Sequence, residues 1–144
     1  MKDYQTLAVS YFYQGYNCAQ ATALAFLEEM GCEKQDLVKL ASSFGGGMGV
    51  QEVCGALTGA LMAIGMIKGY DDPQDKEAKT NHYELIRTIS ARFEKENGSI
   101  ICRELLEDLE RNPRPTTQTP PKKCEYFVRQ ATSIVEKFLK QQEN

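Results

Sequence analysis

This chain has one histidine, His82, and no CxxC pair, although it carries five cysteines. Without a CxxC pair, the thioredoxin-type redox motif and the short knuckles of finger-type zinc sites are both excluded. There is no CxxCH, which excludes covalent attachment of a c-type haem, and the cysteine spacing does not match the usual ferredoxin patterns. Neither GxxxxGK[ST] nor GxGxxG occurs, so the glycines give nucleotide binding little support. A basic excess is also lacking. The net charge of -3 and pI near 5.3 argue against a nucleic-acid partner or an anionic-membrane surface.

Long apolar runs are missing too. The longest, Val53 to Ile67, contains three glycines and falls short of the roughly 20 residues that span a bilayer, so no membrane insertion is expected. The first residues, MKDYQTLAVSYFYQGYN, are too polar for a secretory signal, which makes a cytoplasmic location the expectation. In that compartment five thiols read as metal-binding, catalytic or redox-sensing groups more readily than as a disulfide framework. Hydrophobic content of 42% and charged content of 26% fit an ordinary globular protein, and 144 residues suffice for one domain, 1–144, with a real core.

The periodicity is helical throughout, and the fold class expected is all-α, a single bundle of about seven helices. Tyr4, Leu7, Ala8, Tyr11 and Phe12 form a first stripe, closed by Gly15. Asn17 caps a second helix, Cys18 to about Met30, ended by Gly31. A short helix from about Lys34 to Ser43 runs into the cluster Phe44-Gly45-Gly46-Gly47-Met48-Gly49, which no helix survives. Val50 to about Lys68 is apolar on nearly all sides and reads as the buried, Gly/Ala-rich central helix. A long amphipathic helix extends from Pro73 or Gln74 to about Asn97, with His82 on its apolar stripe. Ser99 caps a helix over Ile100–Leu109. Residues 111–121, with four prolines, form an extended loop, and the last helix covers about Lys122 to Gln141.

Four cysteines, Cys18, Cys54, Cys102 and Cys124, fall within the first few residues of an expected helix. Helix N-termini carry partial positive charge and free N–H donors, which favour a thiolate over a thiol. Arg103 beside Cys102 and Lys123 beside Cys124 add to that effect. A cysteine can equally serve as a small hydrophobe in a core, but the shared placement of four points to thiols assembled from separate helices. Cys32, in a polar turn after Gly31, is left out of the set.

The glycines have two readings. Gly55 and Gly59, with Ala56, Ala60 and Ala63, give the central helix a face nearly without side chains, where a neighbouring helix or a bound group can approach closely. The loop of Gly45, Gly46, Gly47 and Gly49 before it could cradle an anion at the helix N-terminus. His82 is either a hydrogen-bonded, half-buried residue or a proton carrier and extra ligand beside the thiols.

YNCAQA (Tyr16–Ala21), GGGMG leading into CGALTG (Cys54–Gly59), GSIICRELL (Gly98–Leu106) and the late Cys124 together resemble the family named for the pattern C…GCAxxG…C…C. The resemblance spans about Leu7 to Phe138. The central motif falls on Cys54, Gly55, Ala56 and Gly59, and the other cysteines of the pattern on Cys18, Cys102 and Cys124. It implies a helical, redox-active protein by cysteine content, often encoded near transporter genes, with no fixed substrate or cofactor.

The leading expectation is a thiol-based redox site, with Cys54 as the attacking thiolate, another of the four resolving it, and a small molecule or protein as redox partner. A second reading makes the four cysteines ligands of zinc or an iron–sulfur cluster, since ligand thiolates must also be deprotonated; in the first reading no cofactor is needed. A third makes the chain a helical partner of a transporter, with structural cysteines. Homo-oligomerisation is compatible with all three.

Overall fold

The computed structural model describes residues 2–142, and the chain is all-α. Asp3 caps α1 (Tyr4–Tyr13), its carboxylate accepting the Thr6 N–H at 3.0 Å. α2 (Cys18–Leu24) begins with a capping box. Asn17 Oδ1 accepts the Gln20 N–H at 2.8 Å, and Gln20 Oε1 accepts the Asn17 N–H at 2.9 Å. The helix expected to continue to Met30 instead breaks at Ala25–Phe26. There the chain tightens, with Phe26 N–H bonding to Ala23 O at 3.0 Å, and restarts as α3 (Leu27–Met30). The break seats Phe26 fully inside, its ring stacked on Tyr4 with centroids 4.7 Å apart. Burying such a ring stabilises by roughly 1.5–3 kcal/mol, more than a continuous helix would regain through one hydrogen bond.

α4 (Lys34–Ala41) leads into the glycine cluster, and α5 (Gly55–Lys68) begins five residues later than the apolar pattern suggests. Residues 47–51 form a π-type turn, and residues 52–54 are drawn off by a pairing absent from the helical reading. Val53 and Ile101 form an isolated antiparallel bridge, flanked by Cys54 N–H to Ile100 O (2.7 Å) and Cys102 N–H to Glu52 O (2.5 Å). α6 (Lys76–Asn97) ends at Gly98, whose φ of +90° closes the helix. α7 (Cys102–Arg111) follows Ser99, whose hydroxyl accepts the Ile101 N–H at 2.9 Å and donates to Glu104 at 2.6 Å. The proline-rich segment then returns to α8 (Glu125–Gln142).

α2 and α5 form the centre. Ala19, Ala21, Ala23, Ala56, Ala60 and Ala63 are all completely buried, and small side chains on both helices let their axes approach closely. α1, α4 and α8 pack around this pair, and Phe93 and Phe127 fill the space towards α6. The first half of α6 stays largely at the surface.

Candidate functional site

The close approach of α2 and α5 decides where the thiols go. A methyl group at Gly59 would collide with the Ala19 carbonyl, and one at Gly55 would collide with Cys18 Sγ. Glycine at both positions therefore lets the start of α2, with its cysteine, lie directly on the start of α5. Two loop glycines complete the junction. A Cβ at Gly45 would stand 2.5 Å from the Asn17 side chain, and one at Gly47 would stand 2.8 Å from Cys102 Cβ. The loop fits there by running Gly46, Gly47, Met48 and Gly49 in the left-handed region, which three glycines in four residues make accessible. The bridge between 52–54 and 100–102 then holds the start of α7 beside that of α5.

Around this junction lies a cavity of about 290 Å³. Cys18, Cys54, Cys102 and Cys124 all line it, with Phe12, Tyr16, Leu105, Leu106 and Phe127 as apolar walls and Gly46 and Gly55 as floor. Cys18 is the first residue of α2 and Cys102 the first of α7. Cys54 occupies the N-cap of α5. Cys124 immediately precedes α8, its carbonyl accepting the Phe127 and Val128 N–H groups at 3.0 and 3.2 Å. All five thiols are free. Cys32 lies elsewhere, in a groove with Leu37, Leu40, Met62 and Met66.

The family model described as "Putative redox-active protein (C_GCAxxG_C_C)" matches residues 16–138 of the 144. The chain belongs to this family. No curated protein and no solved structure shows a significant match. The matched range includes all four cysteines that line the cavity.

The electrostatics correct one expectation. Burial pushes the Cys54 thiol up to about 12, against the opposing pull of the Leu57 and Ala56 N–H groups in the first turn of α5. Burial likewise raises Cys124 to about 11 and raises Cys102, outweighing Lys123 and Arg103, which act in the expected downward direction. The helix end at Cys54 and the cations beside Cys102 and Cys124 do favour thiolates, but loss of water is the larger effect. A negative charge on Cys18 is felt by each of the other three and raises them further.

Other expected site residues are distributed differently. Arg103 sits outside the cavity and pairs with Glu52 at 3.2 Å. His82 lines a separate pocket with Lys68, Tyr70 and Asn81, and the fold does not bring it to the thiols. The N–H groups at the start of α5 face the Cys54 sulfur, so that helix end serves a thiol where the glycine loop suggested an external anion. Among the described residues no group of three or more His, Cys, Asp or Glu side chains is placed to hold a metal ion.

Lys122 is the site residue that sequence reasoning missed in favour of Lys123. Its Nζ enters the cavity wall, donating to Phe12 O at 2.7 Å and standing 4.5 Å from the Phe12 ring centroid. Glu125 was also unforeseen. Only 1% exposed, it accepts from Tyr13 Oη (2.7 Å), Thr117 N–H (2.9 Å), Thr117 Oγ1 (3.1 Å) and Arg129 Nε (3.0 Å). These donors hold its carboxyl below the usual range against the upward push of burial. The network binds the proline-rich segment and α1 to the residue next to Cys124. A lone glutamate beside a cysteine gives no sequence signal of this.

Proposed function

We propose that this chain is a thiol-based redox protein in which Cys18, Cys54, Cys102 and Cys124 together store and release a pair of electrons. The observation that carries the reading is the convergence of these four free thiols, from four separate helix starts, on one cavity. Two thiols give up two electrons and two protons and become one disulfide; a partner disulfide takes both and leaves as two thiols. Cys18, half-buried and in contact with Gly55, is better placed to begin the exchange than Cys54, which is 7% exposed and strongly protonated. Cys54 then serves as the resolving thiol. In the protein's resting reduced state burial keeps the Cys54, Cys102 and Cys124 thiols neutral and slow to oxidise, which suits a store that discharges only to a ligand inside the cavity.

The test is a thiol count on full-length protein purified without air, before and after mild oxidation by a small disulfide. About two thiols per chain should disappear and return on treatment with a dithiol reductant. An unchanged count, or stoichiometric iron or zinc in the protein as purified, would contradict the proposal.

A further inference from the structure

The lining of the cavity carries chemical information about its ligand. Its walls are mainly aromatic and aliphatic, with Asn17 and Tyr16 adding polar groups at one side; among the described residues no carboxylate lines it, and Lys122 is its one charged side chain. The Lys122 ammonium has three donors, of which one is given to Phe12 O, and its backbone is fixed by the N–H bond to Tyr13 Oη at 3.1 Å. Donors therefore remain for an acceptor on a bound molecule. A volume of about 290 Å³ lies at the small end of ligand pockets, which run from about 300 to 1,000 Å³.

Resting on the redox reading above, we propose that the cavity takes a small, mainly apolar cyclic disulfide bearing one anionic or carbonyl acceptor end, which Lys122 holds. A charged, hydrophilic disulfide would have to shed its water against mainly apolar walls, where Lys122 is the one cation and the Asn17 amide is already engaged with the Gln20 N–H and the Ser42 carbonyl. A strained ring disulfide also exchanges more readily than a relaxed linear one, which offsets the sluggishness of neutral thiols. One protein thiol, deprotonating as it attacks, opens the ring to a mixed disulfide and frees the ligand's other sulfur. A second protein thiol displaces the ligand from that mixed disulfide. The protein ends with one new S–S bond, and the ligand leaves as a dithiol carrying the two electrons and the two protons. A ring keeps both its sulfurs in the cavity between the steps, whereas a linear disulfide releases half of itself at the first.

Lipoamide, lipoate and glutathione disulfide serve as probes with the reduced, full-length protein under anaerobic conditions, each rate normalised to that of the same probe with free cysteine. Lipoamide and lipoate should react at least about ten-fold faster than glutathione disulfide on this scale and should show saturation. Lys122→Met should raise the half-saturating concentration of lipoate about ten-fold more than that of lipoamide, because a charge-assisted hydrogen bond is lost with the carboxylate. Equal normalised rates would overturn the proposal even if Lys122→Met fails to fold, and so would equal effects of that substitution on the two ring probes. If glutathione disulfide oxidises the four thiols as fast as the ring probes, the ligand class falls and the redox reading stands. If no probe oxidises them, both fall.

Discussion

The thiol cavity, about 290 Å³, and the pocket that contains His82, about 370 Å³, are similar in size but held by the chain in different ways. Around the thiols the chain packs without room to spare: glycines at 45, 47, 55 and 59 admit no side chain, and two bridge hydrogen bonds lock the starts of α5 and α7. Around His82 the walls include the exposed side chains of Lys68, Tyr70 and Asn81, with the Tyr70 and His82 rings 6.0 Å apart. Of the two sequence signals, four cysteines sharing one placement point to chemistry more strongly than a lone histidine on an apolar stripe. What separates them is that only the cysteines are delivered to one place by elements that cannot shift independently.

That contrast is open to perturbation, and the largest effect is expected in reactivity. Because burial lifts Cys54 to about 12, its alkylation rate in the folded protein should climb about ten-fold per pH unit from pH 8 to pH 11, without levelling near the ordinary thiol value. Site-resolved mass spectrometry measures this directly. The same shift has a consequence for stability. A thiol whose folded-state pKa is raised favours the fold below its unfolded value near 8.5. That contribution is lost as pH rises from there through about 11 for Cys124 and about 12 for Cys54. Denaturant midpoints should fall across that alkaline window.

Next come the glycines of α5. Gly55→Ala and Gly59→Ala should each destabilise by about 3 kcal/mol, since the added methyl meets a backbone carbonyl, that of Phe44 or of Ala19. Gly65→Ala, in the same helix with nothing within 4 Å of its Cβ position, should be neutral or stabilise by about 0.5 to 1 kcal/mol. Chemical denaturation of the three variants isolates close approach from helix propensity.

Glu125→Gln should cost about 2 kcal/mol by removing a charged acceptor from four donors and replacing part of it with a competing donor. Since the Glu125 pKa is lowered in the fold, its contribution is complete above the ordinary carboxylate range and is lost as pH falls through the lowered value. The variant should therefore show a flatter acid limb in stability against pH. Smallest of all, His82→Ala should change stability by less than about 0.5 kcal/mol and leave the rate of thiol oxidation unaltered. A slower oxidation would put His82 back beside the thiols.

Much of the fold was legible because its signals are local. The Asn17 cap with Gln20 three residues on, the terminators Gly31 and Gly98, and the Ser99 turn each depend on neighbours in sequence. The cysteines near helix starts were legible for the same reason. The break at Ala25–Phe26 was not, because the apolar period runs on while a tertiary pocket claims Phe26. The thiol pKa direction was misjudged at Cys54 because helix-end charge can be read from position, whereas desolvation depends on packing from Phe127, Leu105 and other distant residues. Lys122 and Lys123 are adjacent in an irregular segment without period, so only the fold distinguishes the one that enters the cavity from the one at its surface.

The central claim is that four thiols act as one redox unit and the fifth stands apart. Peptide mapping of the protein after one equivalent of a small disulfide under anaerobic conditions tests it most directly. The account predicts an intramolecular disulfide between two of Cys18, Cys54, Cys102 and Cys124, with Cys32 still free. Oxidation that appears first at Cys32, with the four cavity cysteines all left as thiols, would contradict it.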